Sequence, residues 1–474
     1  MSAFADLLSA HIQDSGLTIL HLARASGFEA THITRFKNGT RVPRNDSKMH
    51  ALADALCLSP TDREQLLNAC IEAQIGQERY QEYNAVISLV ESGDTFPTLQ
   101  IPASYTQDLA HISTIQKQSN VLNVLAAVLE QEAAREDGVI CFMGQPDNQQ
   151  VMDVLFRTVS NHPTAQIQHI LCLRSAHKDG ETATYNTRCA QHMLMMMRHG
   201  ARYEASYYYD REPVSQSNTL HFPSTIITSQ HVLLIAADYE DAILHQDAHL
   251  VAFYRALFDR QLPRCRRFGQ SYATLVDTMN YYIHAFDAMQ NAAVVDFSYQ
   301  PCVLLYVKPE YCCYLKPDFL AQSDTPYFFS AHLPFLKQLH ITDCFTMEGL
   351  HEFLDSGLIM YLRKYMNPVP VDIRRRIITD LLHGAEEGTY DFRILKPQGI
   401  QVPRSLTVFS PTTDKVIIEL THPNDTNSSL IFTEPSINNA VAGFVQFLPE
   451  SHFVYPREES LRMLQDTIRK RLSE

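Results

Sequence analysis

The chain has 474 residues, of which 45% are hydrophobic and 10% aromatic, and a formal net charge of −14. This length favours two to four domains, and the hydrophobic content is high enough to exclude a globally disordered chain. The sequence contains no apolar run of 18 residues and no secretory signal pattern, and its ten cysteines form no CxxC pair. We therefore expect a cytoplasmic protein with free thiols and no membrane contact.

Two short helices separated by a glycine are predicted between Leu17 and Pro43. Thr18 is a suitable N-cap for the first helix, and Gly27 allows a tight turn after it. A second helix is predicted from Glu29 to Asn38, because glycine and then proline follow it. Two helices joined in this way have the geometry that places the second one in a DNA major groove.

This segment resembles the helix-turn-helix domain of transcriptional regulators of the lambda-Cro, or xenobiotic-response-element, type, over roughly residues 3–75. The positions that match the family pattern are Thr18, Leu22-Ala23, Ser26-Gly27, Ile33-Thr34, Lys37-Asn38-Gly39 and Pro43. Lys37 stands where the family usually has glutamate, and it adds positive charge near a DNA phosphate. The resemblance implies an all-α, lambda-repressor-like domain over residues 1–75 that binds double-stranded DNA. A helical hairpin with no role in nucleic-acid binding is the alternative.

Within such a domain, the N-terminal turn of the second helix faces the base edges. The predicted base-contacting residues are Glu29, Ala30, Thr31, Thr34 and Arg35, with Arg35 the best candidate for a bidentate guanine contact. The predicted phosphate-contacting residues are Thr18, Lys37, Asn38, Thr40, Arg41 and Arg44. The segment from Ala30 to His50 has a local net charge of +4, five Lys or Arg against one Asp, so a basic patch exists within an acidic chain.

The rest of the chain is predicted to be a helical connector, residues 76–104, and a large α/β region with a mixed sheet. We expect this region to form two halves, residues 105–295 and 296–474. Predicted strands are 139–143, 167–173, 202–209, 225–228, 232–236, 303–307, 390–395, 406–409, 416–420 and 429–432. Predicted helices are 105–132, 147–160, 183–199, 247–262, 272–289, 348–354, 372–382, 437–447 and 458–472.

The α/β region shows no convincing catalytic or metal-binding signature. It has neither a GxxxxGK[ST] phosphate loop nor a GxGxxG turn after a strand. The pattern His351-Glu352 resembles the start of a zinc-protease helix, but Asp355 replaces the second histidine ligand. His245 and His249 stand four residues apart at a predicted helix start, where surface histidines are a better explanation than a metal site.

The strand order between Val139 and Leu262 resembles half of a phospholipase-D-type α/β sandwich. The His-x-Lys motif of that family is absent from the chain. The resemblance therefore implies a degenerate sandwich that lacks the family's nucleophile and its phosphate-binding lysine.

These observations predict a sequence-specific DNA-binding transcriptional regulator whose C-terminal α/β region senses a signal and mediates homodimerisation. The expected partners are a palindromic double-stranded DNA operator and an unidentified small-molecule or peptide signal. No enzyme activity, catalytic residue, metal or cofactor is expected. Two alternatives stay open: an enzyme or effector that the N-terminal domain directs to DNA, and a peptide-sensing regulator. The many strands and the lack of a 34-residue period disfavour a helical-repeat form of the latter.

Overall fold

The computed structural model describes residues 2–44, 46–94, 109, 113–175, 180–198, 202–210, 222–272, 277–278, 281, 293–317, 340–363, 365–412, 415–421 and 427–471. The chain forms two compact units. The first comprises Met1–Asn84 and Lys178–Thr184, and the second comprises Ala85–His177 and Tyr185–Glu474.

The N-terminal part of the first unit is built from helices. They are α1 (Ala3–Ser15), α2 (Ile19–Ser26), α3 (Ala30–Lys37), α4 (Asp46–Ala55), α5 (Pro60–Ile75) and α6 (Gln77–Glu91), whose residues after Asn84 belong to the second unit. Helices α1 to α5 each contribute buried apolar side chains to one core, which includes Phe4, Leu8, Leu22, Ile33, Phe36, Leu52 and Leu66. These helices are short, so their stability comes mainly from this shared apolar packing.

The capping pattern of the sequence predicts the bounds of α2 and α3 well. The Thr18 hydroxyl accepts a hydrogen bond from the His21 N–H at 3.2 Å, and Gly27 closes α2 with a φ of +70°. The predicted second helix is confirmed, with Glu29 and Asn38 as its flanking caps. The predicted connector contains α6, and residues 95–104 lie outside the described part of the chain.

The first sheet has the strand order β1-β7-β6-β5-β2-β3-β4-β8. Its strands are β1 (Thr114–Gln116), β2 (Val139–Met143), β3 (Gln166–Arg174), β4 (Arg202–Asp210), β5 (Ser224–Ile227), β6 (Val232–Ile235), β7 (Asp241–His245) and β8 (Arg266–Arg267). Strands β2, β3 and β4 are parallel, and the other pairings are antiparallel. The helices of this part are α7 (Gln118–Ala133), α8 (Gln149–Asn161), α9 (Gly180–Arg198) and α10 (Ala248–Gln261).

The second sheet has the strand order β12-β11-β10-β13-β14-β15-β9. Its strands are β9 (Gly269–Tyr272), β10 (Ala293–Ser298), β11 (His340–Phe345), β12 (Asp391–Ile394), β13 (Leu406–Thr412), β14 (Lys415–Thr421) and β15 (Asn427–Phe432). Strands β10, β11 and β12 are parallel. The helices are α11 (Met347–Ser356), α12 (Val371–Glu387), α13 (Pro435–Phe447) and α14 (Arg457–Arg471). The prediction of a multidomain chain with a mixed-sheet α/β region is confirmed.

Three local predictions were wrong. The expected strand 303–307 is a 3₁₀ helix, Val303–Tyr306, because a short fully buried apolar run does not distinguish a strand from a helical turn. The helix expected from residue 105 begins at Gln118, after strand β1. Tyr272, the expected start of a helix, ends strand β9, and most of residues 273–289 lie outside the described residues.

The expected boundary between residues 295 and 296 falls inside β10. Strand β9 precedes that boundary in the chain and pairs with β15 in the second sheet. The second sheet therefore draws strands from both predicted halves, since hydrogen bonding at a sheet edge does not depend on position in the chain.

Candidate nucleic-acid interface

Helix α3 turns one face to the N-terminal core and the opposite face to solvent. Ile33 and Phe36 are buried in the core. Thr31, Thr34 and Arg35 are exposed, and at 100° per residue they lie within about one third of the helix circumference. The exposed face is therefore narrow, polar and positively charged at its C-terminal end.

The structure brings four of the five predicted base-contacting residues to this exposed side. Ala30 is the exception, because it is half-buried and packs against the core. The Thr34 hydroxyl donates to the Ala30 carbonyl at 3.0 Å, and the Thr31 hydroxyl donates to the Glu29 carboxylate at 3.4 Å. Among the described residues, the Arg35 guanidinium meets no hydrogen-bond acceptor. Arg35 is therefore the side chain of this face that is most available to a ligand.

The segment after α3 holds the strongest predicted phosphate contacts. The Thr40 N–H and hydroxyl both donate to the Arg35 carbonyl, at 3.0 and 3.2 Å, and Gly39 adopts a φ of +69°. This turn carries the chain back along the end of α3. Arg41 and Arg44 follow it, and both side chains are exposed.

The other predicted phosphate contacts lie in less open positions. The hydroxyl oxygen of Thr18 is already the acceptor that caps α2. Lys37 is half-buried, and its carbonyl accepts from the Ser9 hydroxyl at 3.5 Å. Asn38 is exposed at the C-cap of α3, where its N–H donates to the Thr34 carbonyl at 3.1 Å. Its side-chain amide can still approach a phosphate.

Sequence reasoning missed His32. Its Nε2 lies 2.6 Å from a guanidinium nitrogen of Arg41, and 3.7 Å from the Glu29 carboxylate. A guanidinium nitrogen can only donate, so His32 accepts at Nε2 and carries its proton on Nδ1. This contact depends on the path of the segment after α3, and no spacing rule in the sequence predicts it.

The α/β region contains a buried carboxyl pair that the sequence did not single out. Asp296 on β10 and Asp343 on β11 are directly opposite each other, with exposed fractions of 5% and 0%. Asp343 accepts from the Cys302 N–H at 2.7 Å and from the Tyr390 hydroxyl.

Burial raises the pKa of Asp343 to about 7. Burial, and then the charge of Asp343, raise the pKa of Asp296 well above its usual range. The two groups therefore retain at least one proton near neutral pH.

His169 is the fully buried histidine of β3. One ring nitrogen donates to the Gly144 carbonyl at 3.0 Å, and the other accepts from the Tyr203 hydroxyl at 2.6 Å. Burial lowers the pKa of His169 to about 4, so the ring is neutral at physiological pH. Both of its nitrogens are satisfied inside the protein, which makes His169 a core residue rather than a general base.

The described residues contain no group of three or more His, Cys, Asp or Glu side chains placed to hold a metal ion. Within the same residues, no helix is both long enough and apolar enough to span a bilayer.

No protein-family model matches the chain, and no curated protein matches it in sequence. Among the solved structures similar to it is a polyphosphate kinase from Porphyromonas gingivalis, with 11% identity and a TM-score of 0.24. The match covers 87% of this chain and 65% of the kinase chain, so the chain spans less than two thirds of that protein. At this TM-score, neither fold nor activity is transferred from the kinase.

The comparison runs against the predicted function, because a transcriptional regulator with a sensing and dimerisation region was expected and the matched protein is an enzyme. The regulator interpretation is not carried further, and the comparisons do not support the expectation that the chain lacks enzyme activity.

Proposed function

We propose that the chain is an effector protein that its N-terminal unit directs to double-stranded DNA. The observation that carries this proposal is the exposed polar face of α3 beside two exposed arginines, Arg41 and Arg44. Among the described residues, neither arginine pairs with a carboxylate, so their charge is available to an anion. A helix flanked by such cations is the usual arrangement for contact with a DNA groove and its phosphates.

In this proposal the two sets of side chains have different roles. Thr31, Thr34 and Arg35 face the base edges, and Arg35 is the one residue among them with a bidentate donor group. Arg41 and Arg44 neutralise phosphates on the flanking backbone, a role that needs charge and reach but no base recognition. The resemblance of this segment to lambda-Cro domains supports the same assignment.

The α/β region is the effector part of the proposal. It has its own apolar cores, separate from the core of the helices α1 to α5. An acidic chain is repelled by DNA outside the basic patch, which would confine the contact to the N-terminal unit.

Fluorescence anisotropy of the full chain with a labelled 20-base-pair duplex tests the proposal. The double variant Arg41→Ala/Arg44→Ala should weaken binding and reduce the slope of log K against log salt by about two. The matched control is Arg79→Ala, because Arg79 is an exposed arginine on α6 that lies between Glu78 and Glu82 in sequence. Absence of duplex binding at low salt, or equal losses in both variants, would refute the proposal.

A further inference from the structure

A cleft with a volume of about 940 Å³ opens on the N-terminal unit beside α3. Its lining comes from Phe28 in the turn before α3, from α3 itself, from the segment after it, and from the start of α4 and the end of α5. The Gln74 side chain donates to the Pro43 carbonyl at 2.7 Å, which fixes the segment after α3 to α5. The volume is at the upper end of the range for small-molecule sites, so a nucleotide-sized ligand fits in it.

Part of the lining of the cleft is cationic. Arg41, Arg44 and Lys48 line the cleft, and all three are exposed. Among the lining residues that the structure describes, none is an aspartate or a glutamate. The Glu29 carboxylate lies 3.7 Å from the Nε2 of His32, which is one of the lining residues. Arginine guanidinium groups bind phosphate oxygens in a bidentate manner, so these side chains fit a phosphate better than a neutral group.

Another part of the lining is aromatic. Phe28 and His32 are half-buried and line the cleft together with the buried ring of Phe36. The Phe28 and Phe36 rings meet edge to face, with centroids 5.2 Å apart, which holds the Phe28 ring in place. The Lys48 ammonium lies 5.7 Å from the centroid of the Phe28 ring. A planar heterocycle can therefore lie against a fixed aromatic surface while a cation is within reach.

We propose that this cleft binds a free nucleoside phosphate, with its phosphate groups on Arg41 and Arg44 and its base against Phe28 and His32. Phosphate-binding cations and aromatic rings in the lining of one cleft select a ligand that has both an anionic group and a planar ring. Because Arg41 and Arg44 are also the proposed duplex contacts, a nucleotide in the cleft competes with DNA for them. Nucleotide binding itself does not depend on duplex binding.

Isothermal titration calorimetry of the full chain with ADP, adenosine and inorganic phosphate tests the proposal. ADP should bind in a saturable manner and at least about tenfold more tightly than adenosine or phosphate, since only ADP engages both the cations and the aromatic rings. Equal affinity for ADP and inorganic phosphate would reduce the site to a phosphate site and overturn the proposal. Absence of saturable ADP binding at millimolar concentration would overturn it as well.

Two variants locate the site. Phe28→Leu keeps an apolar side chain but removes the ring, and should weaken ADP binding about fivefold or more while duplex affinity stays the same. Lys48→Gln removes a cation of the cleft without altering the core, and should also weaken ADP binding, even if Phe28→Leu fails to fold. Arg79→Ala is the control and should leave ADP binding unchanged. Unchanged ADP affinity in Lys48→Gln would refute this location. Duplex binding measured beside each titration shows which of the two proposals fails.

Discussion

The Arg41 guanidinium lies 2.6 Å from the His32 ring, a contact that joins the segment after α3 to α3 itself. His32 lies on the first turn of α3, between the side that packs on the core and the exposed side. The contact therefore fixes the position of one proposed phosphate-binding cation relative to the proposed base-contacting face. A cation held in place in this way loses less side-chain entropy on binding than one on a free side chain.

The first prediction separates the position of Arg41 from its charge. His32→Leu removes the acceptor but keeps Arg41, so duplex affinity should fall about two- to fivefold with no change in the salt slope. Arg41→Ala removes the charge and should lower that slope by about one unit. Anisotropy titrations at four salt concentrations measure both quantities. Identical slopes for the two variants would show that Arg41 contacts no phosphate.

The second prediction concerns Arg35. If Arg35 makes a bidentate contact with guanine, Arg35→Lys should lose most of the discrimination at one base position, about 1–3 kcal/mol, although it keeps the charge. Selection from a randomised duplex library with the full chain measures this discrimination. Arg44→Lys is the matched control and should leave base preference unchanged. A uniform loss over all sequences in Arg35→Lys would make Arg35 a phosphate contact.

The sequence predicts those features that depend on neighbouring residues. Thr18 and Gly27 delimit α2 through capping and a left-handed turn, and both signals lie within a few residues of the structure they specify. Strand β9 could not be predicted, because Gly269–Tyr272 is short and polar and its strand character comes from pairing with β15.

The same distinction holds for the candidate sites. The exposed face of α3 follows from helical periodicity, and so it could be predicted from the sequence. The contact between His32 and Arg41 requires the three-dimensional path of an irregular segment. The juxtaposition of Asp296 and Asp343 requires the register of two strands that are distant in sequence. Contacts of this kind have no local sequence signal.

The third prediction concerns the autonomy of the N-terminal helices. Helices α1 to α5 share one core, and Gly76, with a φ of +90°, separates α5 from α6. A fragment of residues 1–76 should therefore unfold cooperatively by circular dichroism. Leu66→Ala removes a fully buried side chain and should lower the free energy of unfolding by about 2–5 kcal/mol. Glu64→Ala, on the exposed side of α5, is the control and should change it by less than about 0.5 kcal/mol.

The fourth prediction concerns the buried carboxyl pair. The folded-state pKa of Asp343 is about 7, which is above the value of about 3.9 for an unfolded aspartate. The folded chain therefore binds more protons than the unfolded chain between these values, and stability falls as the pH rises through about 4 to 7. The stabilisation that comes from this bound proton is complete only below about pH 3.9, the pKa of an unfolded aspartate.

Urea denaturation of the α/β region at pH 5 and pH 8 measures this dependence. Asp343→Asn keeps an oxygen acceptor for Tyr390 and removes the titrating carboxyl group of this residue. The decrease in the free energy of unfolding between pH 5 and pH 8 should therefore be smaller in this variant. Asp259→Asn, at an exposed position paired with Arg255, should keep the pH dependence of the natural chain. An Asp343→Asn variant with an unaltered pH dependence would assign the loss to other groups.

The last prediction concerns Glu434, which caps α13 and is 1% exposed. Its carboxylate accepts from the Ile437 N–H at 2.8 Å, from the Ser436 hydroxyl, and from the Tyr209 hydroxyl of β4 at 2.8 Å. Glu434→Ala leaves these three donors without their acceptor and should lower the free energy of unfolding by about 2–4 kcal/mol. Tyr209→Phe removes only the hydrogen bond to β4 and should lower the free energy of unfolding by about 1 kcal/mol.

A double-mutant cycle of Glu434→Ala and Tyr209→Phe in urea should show coupling between the two positions, because the tyrosine bond is already absent once Glu434 is removed. Fully additive losses would show that this bond between β4 and the start of α13 does not form in solution.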